Sequence, residues 1–218
     1  MNRAEEDYMK VIYELTVQAK QPIVKSNELS LHFGYTDQSV NEMVKKLEAK
    51  KLVSFIPYHG VSLTKKGQKE AVRMLRAHRL WEVFLTEKLG MTWEEVHDDA
   101  ERLEHNSTEA LLNRLDDFLD HPKYCQHGNP IPDRHGHINE FSTTALADMN
   151  EGDRFELTRV VDEKELLVFL NENHIQLKQV YRIKKIDSFN HLIHIEDEKG
   201  DITLSLKTAR MLFGEKQS

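Results

Sequence analysis

The stretch from His97 to His105, HDDAERLEH, constrains this chain more than any other. At about 100° per residue, Glu101, Glu104 and His105 fall with His97 within roughly 100° of arc on one helix face. Two imidazoles and two carboxylates on a shared face form a metal-ligand arrangement. It mixes hard oxygen with borderline nitrogen and has no thiolate, which suits manganese, ferrous iron or zinc better than copper(I). The competing reading is a solvated acidic helix with Asp98, Asp99 and Glu101 in water. A second polar stretch upstream and a DNA-binding pattern before it favour the ligand reading.

That pattern starts with residues 4–19, a helix whose Tyr8, Val11, Ile12, Leu15 and Ala19 recur at helical spacing. Gln21-Pro22 breaks it. Ser26 is expected to cap a short helix, NELSLHF, that stops at Gly34. Thr36 is expected to cap a second helix from Asp37 to Lys50, with Val40, Met43, Val44 and Leu47 as its apolar stripe. Two helices across a glycine turn make a helix-turn-helix. Residues 52–56 and 61–64, joined by Pro57-Tyr58-His59-Gly60, then read as a hairpin, which after a recognition helix is a wing. The outer face of the second helix offers Gln38, Ser39, Asn41, Glu42, Lys45 and Lys46 to base edges and phosphates. With Ser26, Thr36 and the wing's Tyr58 these form the expected DNA-contacting set.

Charge supports this division of labour. The net charge of −7 argues against a protein that coats nucleic acid, but it is unevenly placed. Residues 1–72 carry 11 basic against 9 acidic side chains, residues 73–140 carry 8 against 14, and residues 141–218 carry 11 against 14. The excess acid lies around the His/Glu helix, where divalent cations would offset it. Cys125 is the one cysteine, so no intrachain disulfide framework is possible, and a reducing cytoplasm is expected. There is no run of 18 apolar residues, so no membrane span is expected.

A long helix opens at Thr64 and runs to about Leu89, followed by the ligand helix from Trp93 to His105. Ser107 is expected to cap a third helix, whose Ala110, Leu111, Leu115, Phe118 and Leu119 are numerous enough to meet a partner chain as well as the core. Beyond the loop and linker at 121–149, short β-rich runs with one helix at 163–171 read as a small β-barrel of SH3 type. The fold class is thus mostly α with a β-rich C-terminal part: winged helix-turn-helix, helical domain, SH3-like barrel. His78 and Glu82 are four apart on the long helix and share a face; with His97 they make one candidate site. Glu101, Glu104 and His105 make another, for which Asp7 is the obvious further carboxylate.

The ordered set EDYMKVIYEL, the helix-turn-helix, GVSLTKKG, HRLWEVFL, EEVHDDAERLEH and CQHGNPIP resembles the diphtheria toxin repressor family of metal-dependent transcriptional repressors, over essentially the whole chain. The resemblance implies a homodimer on double-stranded operator DNA. It also implies a winged domain over 1–72, a metal-binding and dimerisation domain over 73–140 and an SH3-like domain over 150–218. A primary site carries over onto Asp7, Glu101, Glu104 and His105, and an ancillary site onto His78, Glu82 and His97. A carboxylate from the third domain joins it, with Asp162 as candidate and Glu163 as rival. The iron-sensing branch places methionine and cysteine where this chain has Asp7 and Glu101, so the resemblance favours Mn2+ over Fe2+ or another divalent metal. The short two-domain manganese sensors place glutamate where this chain has Lys10, which favours two separated sites. Asp37-Gln38 departs from the family's usual start to the reading helix, so the operator does not transfer.

Two other readings compete. Glu101-x-x-Glu104-His105 has part of the shape of a metallohydrolase motif but lacks its first histidine. Cys125, His127, His135 and His137 collect as a zinc knuckle would, yet fit no zinc-template spacing.

Overall fold

The computed structural model describes residues 1–19, 21–93 and 95–217. The side chain of Ala19, last in the expected stripe of the first helix, lies outside the described residues, as does Glu94 within the expected 93–105 helix. The described chain divides into two compact units. One comprises Met1–His78, Arg102–Asn113 and Pro132–His137; the other comprises Arg79–Glu101, Arg114–Ile131 and Ile138–Ser218.

In the first unit, α1 (Arg3–Ala19) turns Tyr8, Met9, Val11 and Ile12 inward. Each such side chain is worth about 1.5–3 kcal/mol when removed from water. They meet Leu29 of α2 (Ser26–Phe33) and Val40, Val44 and Leu47 of α3 (Asp37–Ala49) in one apolar core. α2 begins one residue earlier than expected. Ser26 is already helical and Lys25 stands at the cap, its N–H donating to Glu28 Oε2 at 2.7 Å; a carboxylate three residues on caps as well as a hydroxyl. Gly34, at φ 66°, closes α2 in the left-handed conformation. Thr36 caps α3 as expected, accepting from Ser39 N–H at 3.2 Å. β1 (Val53–Ile56) and β2 (Gly60–Leu63) pair antiparallel as the wing.

α4 (Lys65–Leu89) and α5 (Val96–Glu104) follow, then α6 (Glu109–Phe118). α5 is shorter than the expected 93–105 because Glu95 is drawn into a turn, accepting from Thr92 N–H at 2.9 Å. Ser107 does not cap α6. Its hydroxyl donates to Leu103 O at 2.8 Å, and Thr108 takes the cap, accepting from Leu111 N–H at 3.2 Å. Leu112 and Leu115 are buried, while Leu111 and Phe118 stay exposed.

The second unit carries a five-stranded antiparallel sheet. Its strands are β3 (Arg154–Val160), β4 (Val180–Asp187), β5 (Leu192–Asp197), β6 (Gly200–Ser205) and β7 (Leu212–Gln217), in the order β6-β5-β4-β3-β7. α7 (Lys164–Glu172) lies between β3 and β4, and α8 (Leu206–Ala209) between β6 and β7. Phe155, Leu157, Leu167, Leu170, Tyr181, Ile183, Ile195 and Leu204 build its core. This is the expected small β-rich domain, with β7 added.

Candidate metal centres and DNA-reading face

In the first unit, α1 presents Glu6, Asp7 and Lys10, α4 presents His78, and the end of α5 supplies Glu104 and His105. Ligand atoms of Asp7, Glu104 and His105 lie within 4.8 Å of one another. His105 Nδ1 is 2.8 Å from Glu6 Oε2, and Arg73 donates to the other Glu6 oxygen at 2.9 Å. This holds the ring with Nδ1–H on Glu6 and Nε2 turned inward, the arrangement that orients a ligating histidine. Nε2 is 3.0 Å from Asp7 Oδ1 and 3.4 Å from Glu104 Oε1. It is buried and, among the described residues, has no hydrogen-bond partner of acceptable geometry.

Glu104 is fully buried. Its Oε2 meets His78 Nδ1 at 2.5 Å and its Oε1 accepts from Lys10 Nζ at 2.9 Å. Burial alone would raise its pKa; the charges of His78 and Lys10 outweigh that and hold it at about 2. Glu104 is therefore an anion in the folded protein, as a ligand must be.

The second unit holds a different group. Glu82 comes from α4, Cys125 and His127 from the loop after α6, and Asp162 from just beyond β3. His127 Nδ1 is 3.0 Å from Glu82 Oε1, 3.8 Å from Asp162 Oδ1 and 4.0 Å from Cys125 Sγ. A cation bonded at about 2.0–2.3 Å keeps its ligand atoms roughly 3–4 Å apart, so this spacing leaves a place for one. Burial works against a charged His127, but the Glu82 carboxylate raises its pKa well above the ordinary value. Burial and Glu82 both push the Cys125 thiol up. His97 Nδ1 is 3.0 Å from Asp162 Oδ1, and its Nε2 is 3.8 Å from Glu101 Oε1.

The loop reaches this position through Gly128. At φ 76° its backbone passes so near β3 that a Cβ would stand 2.0 Å from Thr158 O. Val160 N–H donates to His127 O at 3.0 Å and Asn129 Nδ2 to Val160 O at 3.1 Å, sealing the loop against the strand.

Many of the expected residues have expected neighbours beside them. Asp7, Glu104 and His105 come together, while Glu101, one turn earlier on α5, sits beside His97. His78 meets Glu104, and in the second unit His97 meets Asp162 while Glu82 meets His127. Cys125 and His127 are the residues that sequence reasoning set aside. They are buried beside Glu82, while His135 and His137 of the same histidine-rich stretch are exposed in the first unit. The available signal was a lone cysteine two residues from a histidine, followed by glycine.

On α3, Gln38, Ser39, Asn41, Glu42, Lys45 and Lys46 are all exposed. Gln38 Nε2 donates to Glu42 Oε1 at 3.2 Å. Lys46 is 3.0 Å from Glu5 Oε1, so its ammonium is engaged with α1. Ser26 is half-buried, and the Thr36 hydroxyl caps the helix. Tyr58 stands fully exposed at the wing tip with φ 65°.

A winged helix-turn-helix in one chain with two polar clusters of metal-ligand type defines a metal-dependent DNA-binding regulator. Comparison with known proteins agrees. Residues 1–61 match the family described as iron dependent repressor, N-terminal DNA binding domain, and residues 64–133 match iron dependent repressor, metal binding and dimerisation domain. The chain is 32% identical over 127 residues to the iron-dependent repressor IdeR of Mycobacterium tuberculosis, a match covering 58% of this chain and 54% of that one. The manganese regulator SloR superposes with a TM-score of 0.87 at 35% identity, over 98% of both chains. ScaR with bound Zn2+ gives 0.87 at 35% identity, over 98% of this chain and 99% of that one. The chain belongs to the iron-dependent repressor family and is a metal-dependent transcriptional repressor, not an enzyme. Among the described residues no helix is long and apolar enough to cross a membrane.

Proposed function

We propose that this repressor responds to manganese at two separated centres and in its loaded form binds operator DNA as a homodimer in the cytoplasm, controlling metal-uptake genes. The observation that carries the reading is His105 Nε2. It is buried, turned toward two carboxylates by Glu6, and without a well-formed hydrogen bond among the described residues. A divalent cation fits that donor set of two carboxylates and one imidazole. Manganese ranks lowest in divalent affinity and is selected by ligand type, which oxygen-rich Asp7 and Glu104 supply. SloR, a manganese regulator of the same fold, supports the choice.

When bound, the cation neutralises converging negative charge. The chain does the rest. Asp7 lies on α1, whose neighbouring Tyr8 and Met9 are rooted in the core of the winged fold. Holding Asp7 to Glu104 and His105 therefore holds α3 as well. In a dimer joined through the exposed Leu111 and Phe118 of α6, this sets the spacing of two recognition helices on half-sites one or more helical turns apart. We assign base reading to Gln38, Asn41 and Glu42, and backbone contacts to Ser26, Thr36, Ser39, Lys45, Lys46 and Tyr58. The second centre is assigned to Glu82, Cys125, His127 and Asp162, with His97 orienting Asp162. Residues 1–72 serve as the DNA-binding segment, 73–140 as the metal-binding and dimerisation segment, and 150–218 as the domain that contributes Asp162.

A second reading, response to iron or zinc, is favoured by the Cys125 thiol, a softer donor than any at the first centre. Gel-shift titration on a fragment of its own promoter with Mn2+, Fe2+ and Zn2+ decides. Manganese should give half-maximal binding within its cellular range; activation by zinc or iron alone would favour the second reading.

A further inference from the structure

Lys10 is a charged group that the switching mechanism above does not use. Its Nζ lies 2.9 Å from Glu104 Oε1, and the two side chains are 8% and 0% exposed. The same oxygen is 3.4 Å from His105 Nε2. Glu104 is also one of the three ligand-type residues of the first centre. A full positive charge therefore rests, out of water, on a candidate ligand oxygen.

We propose that Lys10 is a tethered cation that competes with the metal for Glu104, and so sets the concentration at which the first centre loads. The proposal rests on Asp7, Glu104 and His105 being metal ligands. Lys10 stands three residues from Asp7 on α1, so its ammonium cannot diffuse away as a solvent ion can. Before loading, Lys10 and His78 compensate the buried Glu104 charge and keep the empty centre stable. On loading, two positive centres must share one carboxylate, or Lys10 must swing off it. Either way part of the metal's binding free energy goes into displacing the ammonium. Like charges repel strongly where water does not screen them.

The test is calorimetric titration of the full-length protein with Mn2+, without DNA, in wild type and in Lys10→Met, Lys10→Gln, Lys10→Arg and His105→Ala. Removing the charge in Lys10→Met or Lys10→Gln should tighten one site by about tenfold or more and leave the other unchanged. Lys10→Arg, which keeps the charge, should stay close to wild type. Metal-free Tm should fall in Lys10→Met while the Tm rise on adding Mn2+ grows. A lower metal-free Tm with unchanged or weaker affinity in the uncharged variants would make Lys10 a structural ion pair and overturn the proposal. Should Lys10→Met not fold, Lys10→Gln, which still donates a hydrogen bond to Glu104, decides alone. His105→Ala separates the two failures. If it removes no binding event, the ligand reading itself is wrong; if it removes one and the Lys10 variants are unchanged, only the competition is.

Discussion

His127 Nε2 lies 3.1 Å from the carbonyl oxygen of Trp93. A carbonyl only accepts, so Nε2–H donates to it and Nδ1 is the nitrogen that faces Glu82, Asp162 and Cys125. His105 is set the same way by Glu6. In each cluster a neighbour outside the group of ligand-type side chains decides which ring nitrogen would face a metal.

Replacing a ligand at the first centre should uncouple metal from DNA. His105→Ala is expected to abolish metal-activated operator binding while circular dichroism and dimer mass stay as in wild type. Glu6→Gln, which loosens the ring without removing it, should cost roughly 10–100-fold in metal affinity. Operator binding by His105→Ala with unchanged metal dependence would place the regulatory ion elsewhere.

At the second centre, Cys125→Ser and Asp162→Ala should each weaken one calorimetric binding event and spare the other. Asp162 follows β3, and Cys125 lies in the loop sealed against that strand. With Asp162→Ala, limited proteolysis in segment 138–149 should speed up even in saturating Mn2+. Operator binding should weaken only modestly, because Asp7, Glu104 and His105 are intact. Identical isotherms and cleavage rates for Asp162→Ala and wild type would remove Asp162 from the ligand set.

The DNA face should divide into reading and positioning residues. Gln38→Ala is expected to alter base preference, at a cost of about 1–3 kcal/mol on the preferred site. Lys45→Ala should weaken binding to every sequence and flatten the salt dependence by about one counterion. Lys46→Ala should flatten it less, since Glu5 already holds that ammonium at 3.0 Å. Selection of binding sites from random duplexes, at several salt concentrations, measures all three.

Glu5 makes the metal-free protein sensitive to acid. Burial would raise its pKa, but Lys50 at 2.7 Å and Lys46 at 3.0 Å outweigh that and hold it at about 2, against an ordinary 4.5. The folded state thus binds this proton more weakly than the unfolded chain. The stabilisation is complete above about pH 4.5 and is lost as pH falls from there towards 2. Urea unfolding of Glu5→Gln should show lower stability than wild type at pH 6 and a smaller loss between pH 5 and 3. Parallel curves for the two proteins would mean that the α1–α3 clamp adds nothing.

The helices and the wing were legible in the sequence because their signals are local. Tyr8, Val11 and Ile12 recur at helical spacing, Thr36 caps α3, and Pro57 to Gly60 turns the hairpin. Asp7, Glu104 and His105 were legible because two of them are neighbours on a helix and the third is the carboxylate that α1 offers. Strand β7 was not legible. Leu212-Phe213-Gly214 shows no alternation, and the segment is a strand because β3 supplies its hydrogen-bond partners from more than fifty residues away. The second centre was half legible, through Glu82, His97 and Asp162. Cys125 and His127 read as loop residues, and only the approach of Gly128 to Thr158 carries them, buried, to Glu82. Lys10 read as a residue unable to ligate; its place against Glu104 depends on a contact spanning 94 positions. Periodicity and capping are properties of neighbouring residues, so the sequence by itself determined the elements and the chemistry each carries. Which donor atoms lie together, and which ammonium lies against them, is set by side chains far apart in the chain, and only the tertiary structure decided it.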